Sequence, residues 1–429
     1  MKQVSLIFFS LLFAHPCLAE EGWTARLEIC DPDIRSEIQT LPTPVTMLDG
    51  RTLEHKCVKT AEGKFIKLFQ LTAEEILTTF YSDFEPGPAY GWGYNGSTPG
   101  PVIEAFEGER VRIEVINRLP EPTSVHWHGL ELPNRMDGAA PHTQDPILPG
   151  GTFTYEFELK QYGTYMYHAH MHQHKQLALG LMGFFIIHPK LAIMPQVDHD
   201  ILLFLQMWAI PPHSRIPDAM AMGDEFNFFT INGRTAPGTS PIVVNPGEEI
   251  RVRIASLNEM PHPIHLHGHT FKIVAEGAER HNLLAQPSAN TVVVTAGQTA
   301  EIEFTAAEYT GDKSKPDVWM LHCHLPHHVT NNMHVPPVPG EPMAHEMAGM
   351  MTTVIIQPKE SAPQDPPTSP TPPSHPHRGH GDHDHAMGPI MGRYTGSIEL
   401  SNGRKFLASL DLFKVQEDGE WRKLKGVLT

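Results

Sequence analysis

Apolar and polar residues alternate through much of this chain. Arg110 to Ile116 and Arg251 to Ile254 alternate in this way, and Gly, Pro and Asn interrupt such runs at short intervals. A period of two marks strands with one face buried. Short strands between frequent turns predict an all-β fold of two β-sandwiches.

The pattern also repeats. Pro101-Val102-Ile103-Glu104-Ala105, then Gly108-Glu109-Arg110-Val111-Arg112-Ile113, then His126-Trp127-His128-Gly129 forms the first copy. The second is Pro241-Ile242-Val243-Val244-Asn245, then Gly247-Glu248-Glu249-Ile250-Arg251-Val252, then His265-Leu266-His267-Gly268. Gly108 precedes His126 by the same interval as Gly247 precedes His265. Gly163-Thr164-Tyr165-Met166-Tyr167-His168-Ala169-His170 and Val318-Trp319-Met320-Leu321-His322-Cys323-His324 follow in the same order. Two homologous domains are implied, each ending in a strand that carries His-x-His. The stretch from His170 to His262 leaves no room for a third.

Outside the repeat the composition changes. Lys2, the apolar run Val4 to Ala14 and Cys17-Leu18-Ala19 read as a secretory signal cleaved after Ala19, which predicts export to the periplasm or beyond the cell. No later stretch approaches the roughly 20 apolar residues of a membrane span. Prolines crowd the chain after Gln357, giving an extended linker, and a His-rich tract follows. The expected division is 1–19 signal, 20–62 N-terminal extension, 63–192 first domain, 193–358 second domain, 359–390 Pro/His-rich linker and 391–429 a small strand-rich appendage.

A net charge of −17 argues against nucleic acid or an anionic membrane as partner. Of the four cysteines, Cys17 leaves with the signal. Cys30 and Cys57 are candidates for a disulfide in an oxidising compartment, and Cys323 is left for another use.

Alternate residues of a strand share a face, so each His-x-His presents two imidazoles together. One such pair is weak evidence. This chain has four, His126/His128, His168/His170, His265/His267 and His322/His324, at two equivalent positions in each domain. That arrangement predicts a polynuclear metal site. Cys323 lies between two of these histidines and must face the other way, toward a second site. His262, His328 and Met333 are at hand, and two imidazoles, a thiolate and a weak thioether describe a blue-copper electron-transfer centre.

His-Trp-His-Gly, Tyr-His-Ala-His, His-Pro-Ile-His-Leu-His-Gly-His and His-Cys-His-x₃-His-x₄-Met resemble, in order, the four copper motifs of the multicopper oxidases, over roughly Tyr94 to Pro358. The resemblance is greatest to the two-domain, laccase-type members. It implies two tandem cupredoxin-like Greek-key β-sandwiches, the blue copper in the second only, and four copper ions per functional unit. It implies type 2 ligands His126 and His265. One type 3 copper would take His128, His168 and His324, and the other His170, His267 and His322. Type 1 would take His262, Cys323, His328 and Met333. Asp137 matches an acidic residue that relays protons near the cluster; a turn-forming Asp before Gly138 is the alternative. Ala169 and Thr123 stand where the first domain would need Cys and His, so it holds no blue copper despite His174. The two-domain pattern further implies a homotrimer in which the first domain of one subunit meets the second domain of its neighbour.

Met343, His345, Met347, Met350 and Met351 follow the type 1 motif, and thioethers favour Cu(I). Met207, Met220 and Met222 form a second group near the domain boundary. His375, His377, His380, His383 and His385 offer a weak metal-binding tail or a solvated spacer. The expected partners are O₂ and a small reductant. Three readings compete: oxidation of Cu(I), a laccase acting on phenols or Mn(II), and copper storage without turnover. Nitrite reduction is disfavoured, since it would not need eight paired histidines.

Overall fold

The computed structural model describes residues 23–80, 88–277, 279–310, 315–331 and 347–358, together with strand backbone between 392 and 421. The alternating runs form strands. In chain order these are β1 (Val45–Met47), β2 (His55–Lys59), β3 (Phe65–Thr78), β4 (Ala89–Tyr94), β5 (Gly100–Phe106), β6 (Arg110–Asn117), β7 (Val125–His128), β8 (Thr152–Glu158), β9 (Gly163–Ala169) and β10 (Met182–His188). Then come β11 (His199–Trp208), β12 (Phe228–Ile231), β13 (Ile242–Val244), β14 (Glu249–Ser256), β15 (His262–Leu266), β16 (Phe271–Glu276), β17 (Ser288–Ala289), β18 (Thr291–Val294), β19 (Gln298–Thr305), β20 (Asp317–Cys323) and β21 (Met351–Ile356). Short helices α1 (Pro32–Glu37), α2 (Gln173–Ala178) and α3 (Pro326–Val329) sit between them.

The repeat in sequence is a repeat in topology. In the first half β2-β3-β6-β8, with β4 on β3, faces β5-β10-β9-β7; in the second, β11-β14-β19-β16 faces β13-β21-β20-β15-β18. β3 runs parallel to β6 as β11 does to β14, and β5 parallel to β10 as β13 does to β21. Each sandwich closes on its own apolar core. Phe69, Val111, Ile113, Trp127, Tyr155 and Tyr167 fill the first, and Leu203, Val252, Ile254, Phe271, Ile302 and Leu321 the second.

β6 alternates half-buried and buried residues, as its sequence predicts, because one face meets solvent. β5, β9 and β10 are buried at every position. Their outer faces are covered by the second half: Met166, Met182, Phe184 and Ile186 pack with Leu202, Phe204 and Ala255. Set into this junction is an ionic cluster. Arg253 donates to both carboxylate oxygens of Asp200 at 2.7 and 2.8 Å, to Glu301 at 2.8 Å and to Thr164 at 2.9 Å. Burial alone would raise the Asp200 pKa, but the Arg253 guanidinium outweighs it and holds the carboxyl below its usual range.

The N-terminal segment joins both halves. β1 adds to the sheet of the second, parallel to β11, while β2 adds to the sheet of the first through β3. Cys30 and Cys57 are disulfide-bonded, tying the segment's start to β2. Residues 362–429 form a separate unit, in which Gly392–Glu399 pairs antiparallel with Lys405–Leu412 and Gln416–Glu417 with Glu420–Trp421. The signal segment and the His375 to His385 tract lie outside the described residues.

Candidate metal centres

The histidine pairs meet across neighbouring strands. His126 of β7 stands opposite His168 of β9, and His265 of β15 opposite His322 of β20. His170, His267 and His324 each lie one residue beyond these strands, with rings beside those of His126 and His265. Neighbouring rings within the first quartet, His126, His128, His168 and His170, have centroids 5.3 to 6.2 Å apart. Neighbouring rings of the second, His265, His267, His322 and His324, are 4.9 to 5.8 Å apart.

Two nitrogens in each quartet approach closely enough to share one ion. His128 Nδ1 lies 3.2 Å from His168 Nε2, and His267 Nε2 lies 3.0 Å from His322 Nε2. Nitrogens each about 2 Å from a common metal are separated by about that much. Other ring nitrogens are engaged by the chain, which fixes ring orientation. His168 Nδ1 contacts the Ala169 carbonyl at 2.9 Å, and His322 Nδ1 contacts the Cys323 carbonyl at 2.9 Å. His126 Nδ1 is 2.8 Å from the Asp137 carbonyl, and His265 Nδ1 2.7 Å from that of Asn290. His128 lies against the second half, where a Cβ on Gly297 would sit 3.3 Å from its Cε1. Among the described residues, no ring contact or hydrogen bond links one quartet to the other.

Burial, then the neighbouring imidazoles, lowers the pKa of His168 to about 3, against the partial support of the Ala169 carbonyl. Burial likewise leads the lowering at His128, His267 and His322. Neutral imidazoles are the form that binds metal.

On the other face of β20, Cys323 points into the second core. Its Sγ lies 3.4 Å from His328 Nδ1 and 3.9 Å from His262 Nδ1, and the two nitrogens are 3.1 Å apart. All three residues are 0% exposed. Burial pushes the thiol up to about 12, although the Leu325 N–H acts against it, and drives His262 to about 3 and His328 to about 2. Two neutral imidazole nitrogens and a sulfur converging in a dry pocket are a donor set for a soft cation, and the residues fit copper. Met333 lies outside the described residues, as do Met343 and His345.

Several supporting residues carry no sequence signal. Phe229 stacks on His328 at 4.2 Å, and Asn258 Nδ2 lies 3.3 Å from His262 Nε2. Asn331 holds the end of α3, accepting from the Phe229 N–H at 2.9 Å and donating to the Ala348 carbonyl at 2.7 Å. Gly349 packs so closely against the His328 carbonyl that a Cβ would sit 2.1 Å from its oxygen. Met350 is wholly buried in the second core, Met347 is half-buried, and Met351 opens β21.

The matching place in the first half is filled differently. Ala169 packs in the core, and Thr123 donates to Gln176 Oε1 at 2.7 Å, both residues 0% exposed. A hydroxyl thus stands where the second half has His262, and it bonds an amide where His262 meets a second imidazole. Asp137 ends a 3-10 turn over Asn134–Met136, and its Oδ1 is 3.4 Å from His126 Nδ1. Gly138 allows this approach: at φ +80° it lies against β7, where a Cβ would sit 1.7 Å from the Val125 carbonyl.

Two family profiles, both described as Multicopper oxidase, match residues 77–192 and 209–340. The chain belongs to the multicopper oxidase family, whose cofactor is copper. It is 38% identical to copper resistance protein A of Escherichia coli over 135 residues, 31% of this chain and 22% of that protein. It is 32% identical to Laccase-3 of Arabidopsis thaliana over 238 residues, 51% and 40% of the two chains. It thus spans well under half the length of these curated relatives. A solved structure, the blue copper oxidase from Nitrosomonas europaea, superposes with a TM-score of 0.57 at 29% identity, covering 67% of this chain and 85% of that one.

Proposed function

We propose that this chain is an exported oxidase that couples one-electron oxidation of a donor, first of all Cu(I), to four-electron reduction of O₂ to water. His262, Cys323, His328 and Met333 would hold the type 1 copper. His126 and His265 would hold type 2. His128, His168 and His324 would hold one type 3 copper, and His170, His267 and His322 the other. Four coppers per functional unit follow. When bound, copper supplies single-electron acceptance at the thiolate site and the stored electrons for O₂ at the imidazole sites.

The observation that carries this reading is Cys323, whose sulfur joins the buried pocket while its backbone joins His322 and His324. A few covalent bonds and the His322 contact to the Cys323 carbonyl connect the two centres.

The chain would work as a ring of three. The close nitrogen pairs supply two ligands of each type 3 set from one quartet, and the third belongs to the other. A neighbouring subunit's second half would complete the first half's quartet. The Cys30–Cys57 disulfide supports a periplasmic or extracellular location. The extent of the match to a plant laccase keeps a phenolic donor as the second reading. Oxygen uptake by the copper-loaded protein decides between them: rapid uptake with Cu(I) and little with a phenol supports the first, and the reverse replaces it by the second.

A further inference from the structure

A further group of metal-ligating side chains lies in the N-terminal segment, outside the centres described above. β2 carries His55 and Cys57 two residues apart, so both point to one face, and there they stand opposite Phe69 and Lys67 of β3. The disulfide brings Cys30 to the same place. A ring nitrogen of His55 and the two sulfurs lie within 4.8 Å of one another.

His55 is an odd occupant of this position. It is 3% exposed, yet its Nε2 has no hydrogen-bond partner among the described residues, and the Glu28 carboxylate stands 4.0 Å from it. A buried polar atom left unpaired is costly, and an apolar side chain would pack on Phe69 without that cost. Burial, and after it Lys67, keeps the ring neutral, which is the form that binds metal. Two sulfurs, a neutral imidazole and a half-exposed carboxylate make the donor set of a tetrahedral zinc site, once the sulfurs are thiolates.

The surroundings hold these groups together without the disulfide. Thr24 and His55 exchange backbone hydrogen bonds at 2.9 and 2.8 Å, and the Cys30 N–H donates to Glu109 at 2.9 Å. Lys67, wholly buried, donates to Glu109 at 2.7 Å and to the Glu28 carbonyl, so its charge is met and Glu28 is anchored beside the cluster. Sharing one ion asks the sulfurs only to part to about 3.7 Å, for bonds of about 2.3 Å each.

We propose that Cys30, Cys57 and His55, with Glu28 as fourth ligand, bind a zinc ion when the disulfide is reduced, so that metal and disulfide are alternative fastenings of this segment. A dithiol reductant of the thiol–disulfide oxidoreductase class gives two electrons and two protons to the S–S bond and becomes a disulfide itself, leaving two thiols here. Zinc then enters and the two thiol protons leave. Either fastening keeps in place the segment that supplies β1 to the second half's sheet and β2 to the first's. The site is independent of the copper centres.

Cobalt(II) is the probe, because thiolate ligands give it a charge-transfer band that imidazole sites lack. The full chain, copper-free and with Cys17→Ser and Cys323→Ser, keeps Cys30 and Cys57 as its sole thiols. Oxidised, it should show no thiolate band with Co(II). Reduced by a phosphine, it should take up one Co(II) per chain with that band and tetrahedral visible bands, and Zn(II) should displace it. In the reduced protein His55→Gln should weaken zinc binding by about tenfold or more. Absence of the thiolate band after reduction overturns the site, and unchanged affinity and spectrum in His55→Gln overturn His55 as a ligand. His55→Cys provides a second measurement that restores a donor: a stronger thiolate band supports the site, and a band no stronger than that of the parent places position 55 outside it.

Discussion

Cys323 and Ala169 occupy the same register position in the two halves, Cys323 opposite Ile264 on β15 and Ala169 opposite Val125 on β7. Around the cysteine stand His262 and His328; around the alanine, Thr123 and Gln176. The two halves share a scaffold, but among the described residues only the second gathers a thiol and two imidazoles. Replacing Cys323 by Ser should abolish the blue absorption and turnover while the imidazole sites still load, checked by visible spectroscopy and metal analysis. Ala169→Cys should create no second blue centre, because the thiol would meet an amide and a hydroxyl.

Asp137 combines two functions in one turn. Its carbonyl orients His126, and its carboxylate lies at the edge of the first quartet. Asp137→Asn keeps the carbonyl and removes the carboxylate. The expected outcome is a fall in kcat of about 10²-fold with the blue absorption unchanged. An unchanged kcat would return Asp137 to a turn residue.

The ionic cluster between the halves is costly to break on one side. Asp200→Asn leaves Arg253 buried with part of its charge uncompensated and should destabilise the protein by about 3 kcal/mol, read from urea unfolding. Asp200 is a depressed carboxyl. Its contribution is present above the ordinary carboxylate pKa and is lost as pH falls through its lower folded value.

A further acid response comes from His55, which packs on Phe69 with its Nε2 4.0 Å from Glu28. Burial, and after it Lys67, lowers its pKa to about 4. Below its ordinary value of about 6.5 the unfolded chain takes up a proton that the folded chain refuses, so stability is full above that pH and falls toward pH 4. Copper-free protein should lose urea resistance over this window, and His55→Gln should lessen the loss, the remainder belonging to the buried His168, His262 and His328.

Much of this was legible in the sequence because the signals were periodic. Alternation marked β6, and the doubled motif foreshadowed two sandwiches with the same strand order. The odd placement of Cys323 between His322 and His324 showed that its sulfur had to face away from them. What was not legible depends on contacts between residues far apart in the chain. Nothing in the sequence marks β1 as a strand of the second half's sheet, since that follows from what β11 leaves uncovered. Nor does it show that Asn258 reaches His262, that Gln176 fills the first half's vacant place, or that Met350 is a core residue. Met207 reads as a filler by composition; only the fold puts it in one cavity with Met220 and Met222.

The central claim is that each cluster is shared between subunits, and complementation tests it most directly. One variant carries His168→Ala and His170→Ala, the other His265→Ala and His322→Ala; each alone should be inactive. Co-expressed, they should form mixed rings in which about a quarter of the interfaces join an intact first half to an intact second half, with O₂ uptake recovering in proportion. Mixed oligomers that form but remain inactive would contradict the account and place each cluster within a single chain.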